Sequence, residues 1–229
     1  MEFRKLSLMG TSYGTELRMS AGEKIENVDF VDPEFDNTLE ERDTVDFLLH
    51  LACCHTIIPE VDEDKIVYKA SSPDEMALVY AAAHFGVTFE ARDLESIKLR
   101  FKTGEKTYKI LKIIEFSSDR ARMTVIIQLD DKTVRVMVKG SDAMLQPRLV
   151  ESEVIGATWK HIEKFATEGL RTLVLAQKDM SLSEYQEWDN RYNEAMQDRE
   201  NFKSLCVPLF EEIESNLVLL GATAIEDKL

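Results

Sequence analysis

Residues 133–139 alternate strictly. Val134, Val136 and Val138 fall on one side, and Arg135, Met137 and Lys139 on the other, which is the two-residue period of a β-strand. Residues 122–129 do the same, with Met123, Val125, Ile127 and Leu129 against Arg122, Thr124, Ile126 and Gln128. The polar stretch Asp130-Asp131-Lys132 between them predicts an antiparallel hairpin. Further β-rich runs cover 66–68, 96–101, 107–116, 172–176 and 217–222.

Helical spacing lies between these runs. Val45, Leu48, Leu49 and Ala52 recur at i, i+3, i+4 and i+7 and predict a helix over 43–55. Ser72-Pro73-Asp74-Glu75 places Ser at the N-cap, Pro at the first helical position and Glu three residues on, a capping box. The run 76–85 is apolar almost all round, so this second helix is expected to be buried, with Gly86 as its stop. A helix over 157–168 ends at Gly169. Ser181-Leu182-Ser183-Glu184 is a second capping box, opening a long helix with Leu182, Tyr185, Trp188, Tyr192 and Met196 on one stripe. Strands are clustered and hairpin-linked, and helices are grouped before and after them. That pattern predicts an α+β fold with a mostly antiparallel twisted sheet flanked by helices. Residues 1–38 mix Gly, Ser and Thr with an acidic stretch and read as a partly flexible linker or edge segment.

Composition narrows the functional classes. With 229 residues and typical apolar content, the chain can bury a sizeable core. The formal net charge of −15 argues against a general nucleic-acid binder, which needs a basic stripe. A phosphate ligand would need a local cluster of cations and backbone N–H groups to overcome that field. Cys53, Cys54 and Cys206 are odd in number and lack framework spacing, as expected of reduced thiols. Adjacent cysteines rarely ligate one ion, so Cys53-Cys54-His55 is assigned to helix packing. No run of about 18 apolar residues is present, so no segment is expected to span a membrane. The chain stops directly after an apolar run and reads as a piece of a longer protein.

Four places could carry chemistry. Lys139-Gly140-Ser141-Asp142 ends a strand with an ammonium beside a glycine, where backbone can approach a ligand closely; alone, it reads as a solvated lysine on a sheet rim. Phe116 is followed by Ser117 and Ser118, a ring that could stack on a flat ligand with hydroxyls nearby, or an ordinary core phenylalanine before a polar loop. Phe116 and Lys139 lie one hairpin apart, and a ring plus a cation in one cavity suit a nucleobase joined to phosphates. Arg171, after the helix stop at Gly169, could present its fork to a phosphate or satisfy the last helical carbonyls. Glu75 could accept from an exocyclic amine or serve only its capping box.

Together these motifs are more specific than any one alone. Ser72-Pro73-Asp74-Glu75, Phe116 with Ser117, Arg120, Arg122 and Met123, Lys139-Gly140-Ser141-Asp142, Glu168-Gly169-Leu170-Arg171-Thr172 and residues 221–229 occur in one order. In that order they resemble the nucleotide-binding domain of a P-type ATPase, most closely the type IV subgroup of phospholipid flippases. The likeness runs from about Leu48 to the end, and Leu51-Ala52-Cys53-Cys54-His55 resembles the helix before that domain's core. Two positions depart from the family: Ser141, where Ala is more usual, and Ala121, where a basic residue is usual.

The resemblance implies an ATP site. Phe116 would stack on adenine, Glu75 would accept from its amino group, and Lys139 and Gly140 would lie deep in the pocket. Ser118 would be a minor contact, and Arg171 would reach the phosphates from the mouth. Asp227 would sit in the hinge toward the phosphorylation domain. It also implies a domain over 39–221 with the hinge starting at 222–229. The parent would be an integral membrane protein carrying this domain in the cytosol, and it would use ATP and Mg2+ to phosphorylate an aspartate and move phospholipid. Its partners would be the phosphorylation, actuator and transmembrane domains of the same chain, with an accessory subunit or regulatory tail. Nucleic acid is not among them. The chain lacks the Asp-Lys-Thr-Gly-Thr loop that holds the nucleophile, so ATP binding without turnover is expected. The alternatives are the same domain from a cation pump, or an interaction module using the acidic N-terminal segment and the helix from Leu182 to Met196.

Overall fold

The computed structural model describes residues 1–20, 22, 25–62, 65–69, 72–198 and 200–227. Its strands are β1 (Glu2–Leu8), β2 (Thr11–Tyr13), β3 (Ile58–Asp62), β4 (Lys65–Lys69), β5 (Thr88–Arg92), β6 (Ser96–Phe101), β7 (Gly104–Ser117), β8 (Arg122–Gln128), β9 (Thr133–Gly140), β10 (Arg171–Ser181) and β11 (Val218–Glu226). Its helices are α1 (Pro33–Asp36), α2 (Arg42–Cys53), α3 (Pro73–His84), α4 (Asp142–Leu145), α5 (Val154–Thr167), α6 (Leu182–Gln197) and α7 (Phe202–Ile213). Nine strands form one sheet in the order β2-β1-β11-β10-β9-β8-β7-β6-β5, and each adjacent pair is antiparallel. β3 and β4 form a separate hairpin. The fold is α+β with a large antiparallel sheet between helices, as the hydropathy pattern predicts.

The alternation in β8 and β9 has a simple physical result. Met123, Val125, Ile127 and Met137 face one core with Leu48, Ala52 and Leu78 from α2 and α3. Ile126, Val134, Val136 and Val138 face a second core with Ile162, Trp188 and Ile213 from α5, α6 and α7. The middle of the sheet is therefore covered on both sides, so the polar residues on β9 must be paired. Arg135 meets Asp46 at 2.6 Å and Asp179 at 2.7 Å, and Lys139 meets Glu75.

The N-terminal segment differs from the linker or edge expected over residues 1–38. Glu2–Leu8 is an interior strand between β2 and β11, with Phe3 and Leu6 fully buried. Its charged residues conceal it in the sequence. Arg4 pairs with Asp29, and Lys5 pairs with Glu16 at 2.5 Å and Glu168 at 2.6 Å, so a polar-looking strand is buried with its charges compensated. Ala222–Glu226, read as the start of a hinge, continue β11 and pair with both β1 and β10. Gly221 is fixed by this packing, because a Cβ there would meet the Ser7 carbonyl oxygen at 1.9 Å. Lys228 and Leu229 of the terminal motif lie outside the described residues.

α7 was hidden by Pro208, which sits inside the helix and reads as a breaker. On α6 the buried stripe runs through Tyr185, Trp188 and Ala195, while Met196 is exposed.

Candidate functional site

The two capping boxes behave differently. At α6, Ser181 accepts from the Glu184 N–H, and the Glu184 carboxylate accepts from the Ser181 N–H at 2.8 Å, which completes the box. At α3, Ser72 accepts from the Glu75 N–H at 3.4 Å, but the Glu75 carboxylate turns elsewhere. Its Oε1 accepts from Lys139 Nζ at 3.2 Å, and its Oε2 accepts from the Thr56 N–H at 3.1 Å and the Thr56 hydroxyl at 3.0 Å. A helix-start glutamate has been drawn across to the end of β9. Burial pushes its carboxyl up, but the Lys139 ammonium and the Thr56 donors outweigh burial and hold it below the ordinary carboxylate range.

Lys139 is nearly buried and also donates to the Cys54 carbonyl at 2.8 Å. Its ammonium is thus held by one carboxylate and one main-chain oxygen. Burial, reinforced by the Lys139 charge, drops His50 and His55 to about 3, so both imidazoles are neutral at pH 7. The Ile57 N–H donates to His55 Nδ1 at 3.1 Å, which leaves the proton on Nε2 to donate to the Ala52 carbonyl at 2.7 Å. His55 and the buried Cys53 and Cys54 serve the end of α2.

These groups border a cavity of about 490 Å³ lined by Thr56, Ser72, Asp74, Glu75, Glu115, Phe116, Met123, Lys139, Gly140 and Leu173. Met123 and Leu173 supply its apolar surface, and Phe116, at the end of β7, stands 62% exposed at its rim. An aromatic this exposed beside a cavity has no core to fill. Gly140 is required by close approach: a Cβ would lie 2.6 Å from Arg122 Cβ and 2.7 Å from the Ala121 carbonyl oxygen. That carbonyl accepts from the Ser141 N–H at 3.1 Å, tying the turn after Phe116 to the end of β9.

The structure thus brings Glu75, Phe116, Lys139 and Gly140 around one space. Ser118 lies in the exposed turn after β7 and does not line the cavity. Arg171 and Asp227 are also outside the lining, but they join it through Asp74. Arg171 Nη1 donates to Asp74 Oδ2 at 2.6 Å, and Nη2 donates to Asp227 Oδ2 at 3.3 Å. Arg120 and Arg122, in the motif after Phe116, turn away from the cavity. Arg122 Nε donates to the buried Glu214 at 2.7 Å, Arg120 pairs with the same carboxylate, and Arg120 also donates to the Glu115 carbonyl at 3.0 Å. They brace the turn that carries Phe116. Sequence reasoning missed Thr56, Asp74, Met123, Leu173 and the Cys54 carbonyl. Asp74 had a signal, since it lies inside the helix-start motif; a backbone carbonyl has none.

The chemistry available is a stacking surface, a held cation, a carboxylate with one acceptor position still open, and bare backbone at a glycine. Residues 43–229 match the family model described as P-type ATPase, cytoplasmic domain N. The chain belongs to that family. Among relatives of this P-type ATPase domain, phospholipid-transporting ATPase IC of Xenopus tropicalis is 37% identical over 245 residues, covering all of this chain and 20% of the relative. Phospholipid-transporting ATPase DRS2 of Saccharomyces cerevisiae is 38% identical over 244 residues, again with the whole chain covered and 18% of the relative. Phospholipid-transporting ATPase ID of Homo sapiens is 38% identical over 251 residues, the whole chain and 21% of the relative. The chain spans about a fifth of the length of these relatives. The likeness falls on the type IV subgroup to which the motifs pointed.

Proposed function

We propose that this domain binds ATP in the cavity between Phe116, Glu75, Lys139 and Gly140, and that its parent is a phospholipid-transporting P-type ATPase. The observation that carries this reading is the convergence of an exposed ring, a buried ammonium and a carboxylate on one cavity of about 490 Å³. That volume lies within the range of small-molecule and cofactor sites. Adenine would stack on Phe116 over Met123 and Leu173. Three contacts already use Glu75, and a carboxylate offers about four acceptor positions, so one remains for the adenine amino group. Lys139 would neutralise charge near the ribose or α-phosphate, and Arg171 would meet the phosphates outside the lining. Ser118 would be a minor contact in the turn beyond Phe116.

In the parent, the γ-phosphoryl group would pass from ATP to an aspartate carboxylate oxygen in the phosphorylation domain, and ADP would leave. Mg2+ would travel with the triphosphate, with its protein ligands mainly in that domain. Residues 39–221, together with β1, β2 and the rest of β11 that complete their sheet, would form the nucleotide-binding unit, with Asp227 in the connection to the phosphorylation domain. This chain's part is positioning: it holds the base so that the phosphates project toward a nucleophile supplied elsewhere. The names of the relatives favour phospholipid as cargo over a cation. With a net charge of −15 the domain's field opposes a triphosphate, so binding is expected to be weak and driven by the base.

Calorimetric titration tests the site. Phe116→Ala is expected to cost about 1–3 kcal/mol of ATP binding, the usual range for a lost base–aromatic stack. Unchanged affinity in that variant would remove Phe116 from the site. Hydrolysis of ATP by the isolated chain at the rate of an intact pump would contradict a domain that only delivers nucleotide.

A further inference from the structure

Arg171 is already occupied. The two terminal nitrogens of its guanidinium, the pair that would meet a phosphate side by side, are taken by carboxylates from two different elements. Nη1 is on Asp74 at 2.6 Å, in the first turn of α3, and Nη2 is on Asp227 at 3.3 Å, just beyond β11. Asp74 also lines the cavity, immediately before Glu75. Its Oδ2 holds Arg171, while its Oδ1 is buried with no hydrogen-bond partner among the described residues. Drawing Arg171 away would leave that carboxylate without its compensating cation, in a side chain only 18% exposed.

We propose that Asp74 is a specificity-determining residue that competes with the ligand's phosphates for Arg171 and so limits how much a triphosphate adds to binding. The proposal rests on the ATP-site reading above and names a residue that reading does not use. A nucleoside fills the Phe116 end of the cavity and leaves the Asp74–Arg171–Asp227 bridge intact. A nucleoside triphosphate must either draw Arg171 away from the two carboxylates or share its remaining N–H groups with them, and in both cases its phosphates lie near their charges. The site therefore recognises the base with a preformed wall and meets the phosphates with a cation that is already engaged. Asp74 is the stronger competitor, because its contact is shorter and its side chain is less exposed than that of Asp227, 18% against 39%.

The test compares ATP with adenosine by titration calorimetry on the 229-residue chain. Asp74→Asn removes the charge but keeps an oxygen that can accept from Arg171. It is expected to raise the ratio of ATP to adenosine affinity about two- to five-fold, the size of one solvent-exposed ion pair. In an Arg171→Gln background the same substitution should yield less than half that gain. Asp227→Asn should act in the same direction by a smaller factor, and it reads the competition from β11 should the α3 variant fail to fold. An unchanged ratio of ATP to adenosine affinity in both variants overturns the proposal, as does a full gain that persists without Arg171. If the unaltered chain binds neither ligand, the ATP-site reading itself fails, and this proposal with it. Binding of both with no response to the aspartate variants fails the proposal alone.

Discussion

Replacing Glu75 by Gln removes one charge of the Glu75–Lys139 pair while keeping its volume and an oxygen for the Thr56 donors. At 3.2 Å, two unit charges attract by about 5 kcal/mol at an effective dielectric of 20. Much of that offsets the cost of taking both groups out of water, since their side chains are 12% and 8% exposed. What the single substitution exposes is the other half: an ammonium near the floor of a cavity whose remaining partner is the Cys54 carbonyl. Breaking a buried pair from one side commonly costs about 3–5 kcal/mol. Here water in the cavity can reach Nζ, so Glu75→Gln is expected to cost about 2–3 kcal/mol. Lys139→Met should cost less, because Thr56 still satisfies the carboxylate. The double variant leaves no lone charge, and its loss should fall short of the sum of the singles by at least about 1 kcal/mol. Urea unfolding of the four proteins at pH 7.5 measures this, and ATP titration of the same set separates a weaker fold from a weaker site. Additivity within about 0.5 kcal/mol would mean that the pair is not coupled and that Glu75 has another task.

Gly140→Ala should destabilise the domain by about 1–3 kcal/mol and weaken ATP binding, because the new methyl meets the Ala121 and Arg122 backbone rather than a movable side-chain tip; an unshifted urea midpoint would show that β8 gives way freely. Stability should fall as pH drops below about 6.5. His50 and His55 are held near 3 in the folded state and titrate near 6.5 when unfolded, so between those values the unfolded chain binds more protons. The two together should remove about 2–3 kcal/mol between pH 7.5 and 5.5, with Glu75 and other carboxylates of lowered pKa adding to the loss only in more acidic solution. Equal urea midpoints at those two pH values would mean that neither imidazole is buried neutral.

The elements legible in the sequence are those in which one rule acted alone. Two-residue alternation located β8 and β9, and the cap residues Ser72 and Ser181 located the starts of α3 and α6. The elements that escaped carry two signals in conflict. β1 has the charges of a surface strand but compensates them inside the sheet, and α7 has an interior proline. Within the cavity, Phe116, Lys139, Gly140 and Glu75 stand in motifs where residue type and position already suggest a role. Thr56 and the Cys54 carbonyl became visible only when the end of α2 was seen to meet β9, because a main-chain oxygen leaves no mark in a sequence. The bracing of the turn after Phe116 by Glu214 links residues far apart in the chain, and no local pattern could have suggested it.

The double covering of β9 has a consequence for cooperativity. Val134, Val136, Met137 and Val138 are fully buried between the two cores, so amide hydrogens there can exchange with solvent only when the whole sheet opens. The turn at 118–120, beyond the rim residue Phe116, is largely exposed, and release of the Arg120–Glu214 brace would let it open without the sheet. The cavity is therefore bounded by two units that unfold separately, one global and one local. A ligand seated against both Lys139 and Phe116 would join them, so that the turn could no longer open without losing the ligand and its exchange would slow toward that of the sheet. In that sense the bound nucleotide would act as a cross-link between a fixed wall and a loose one.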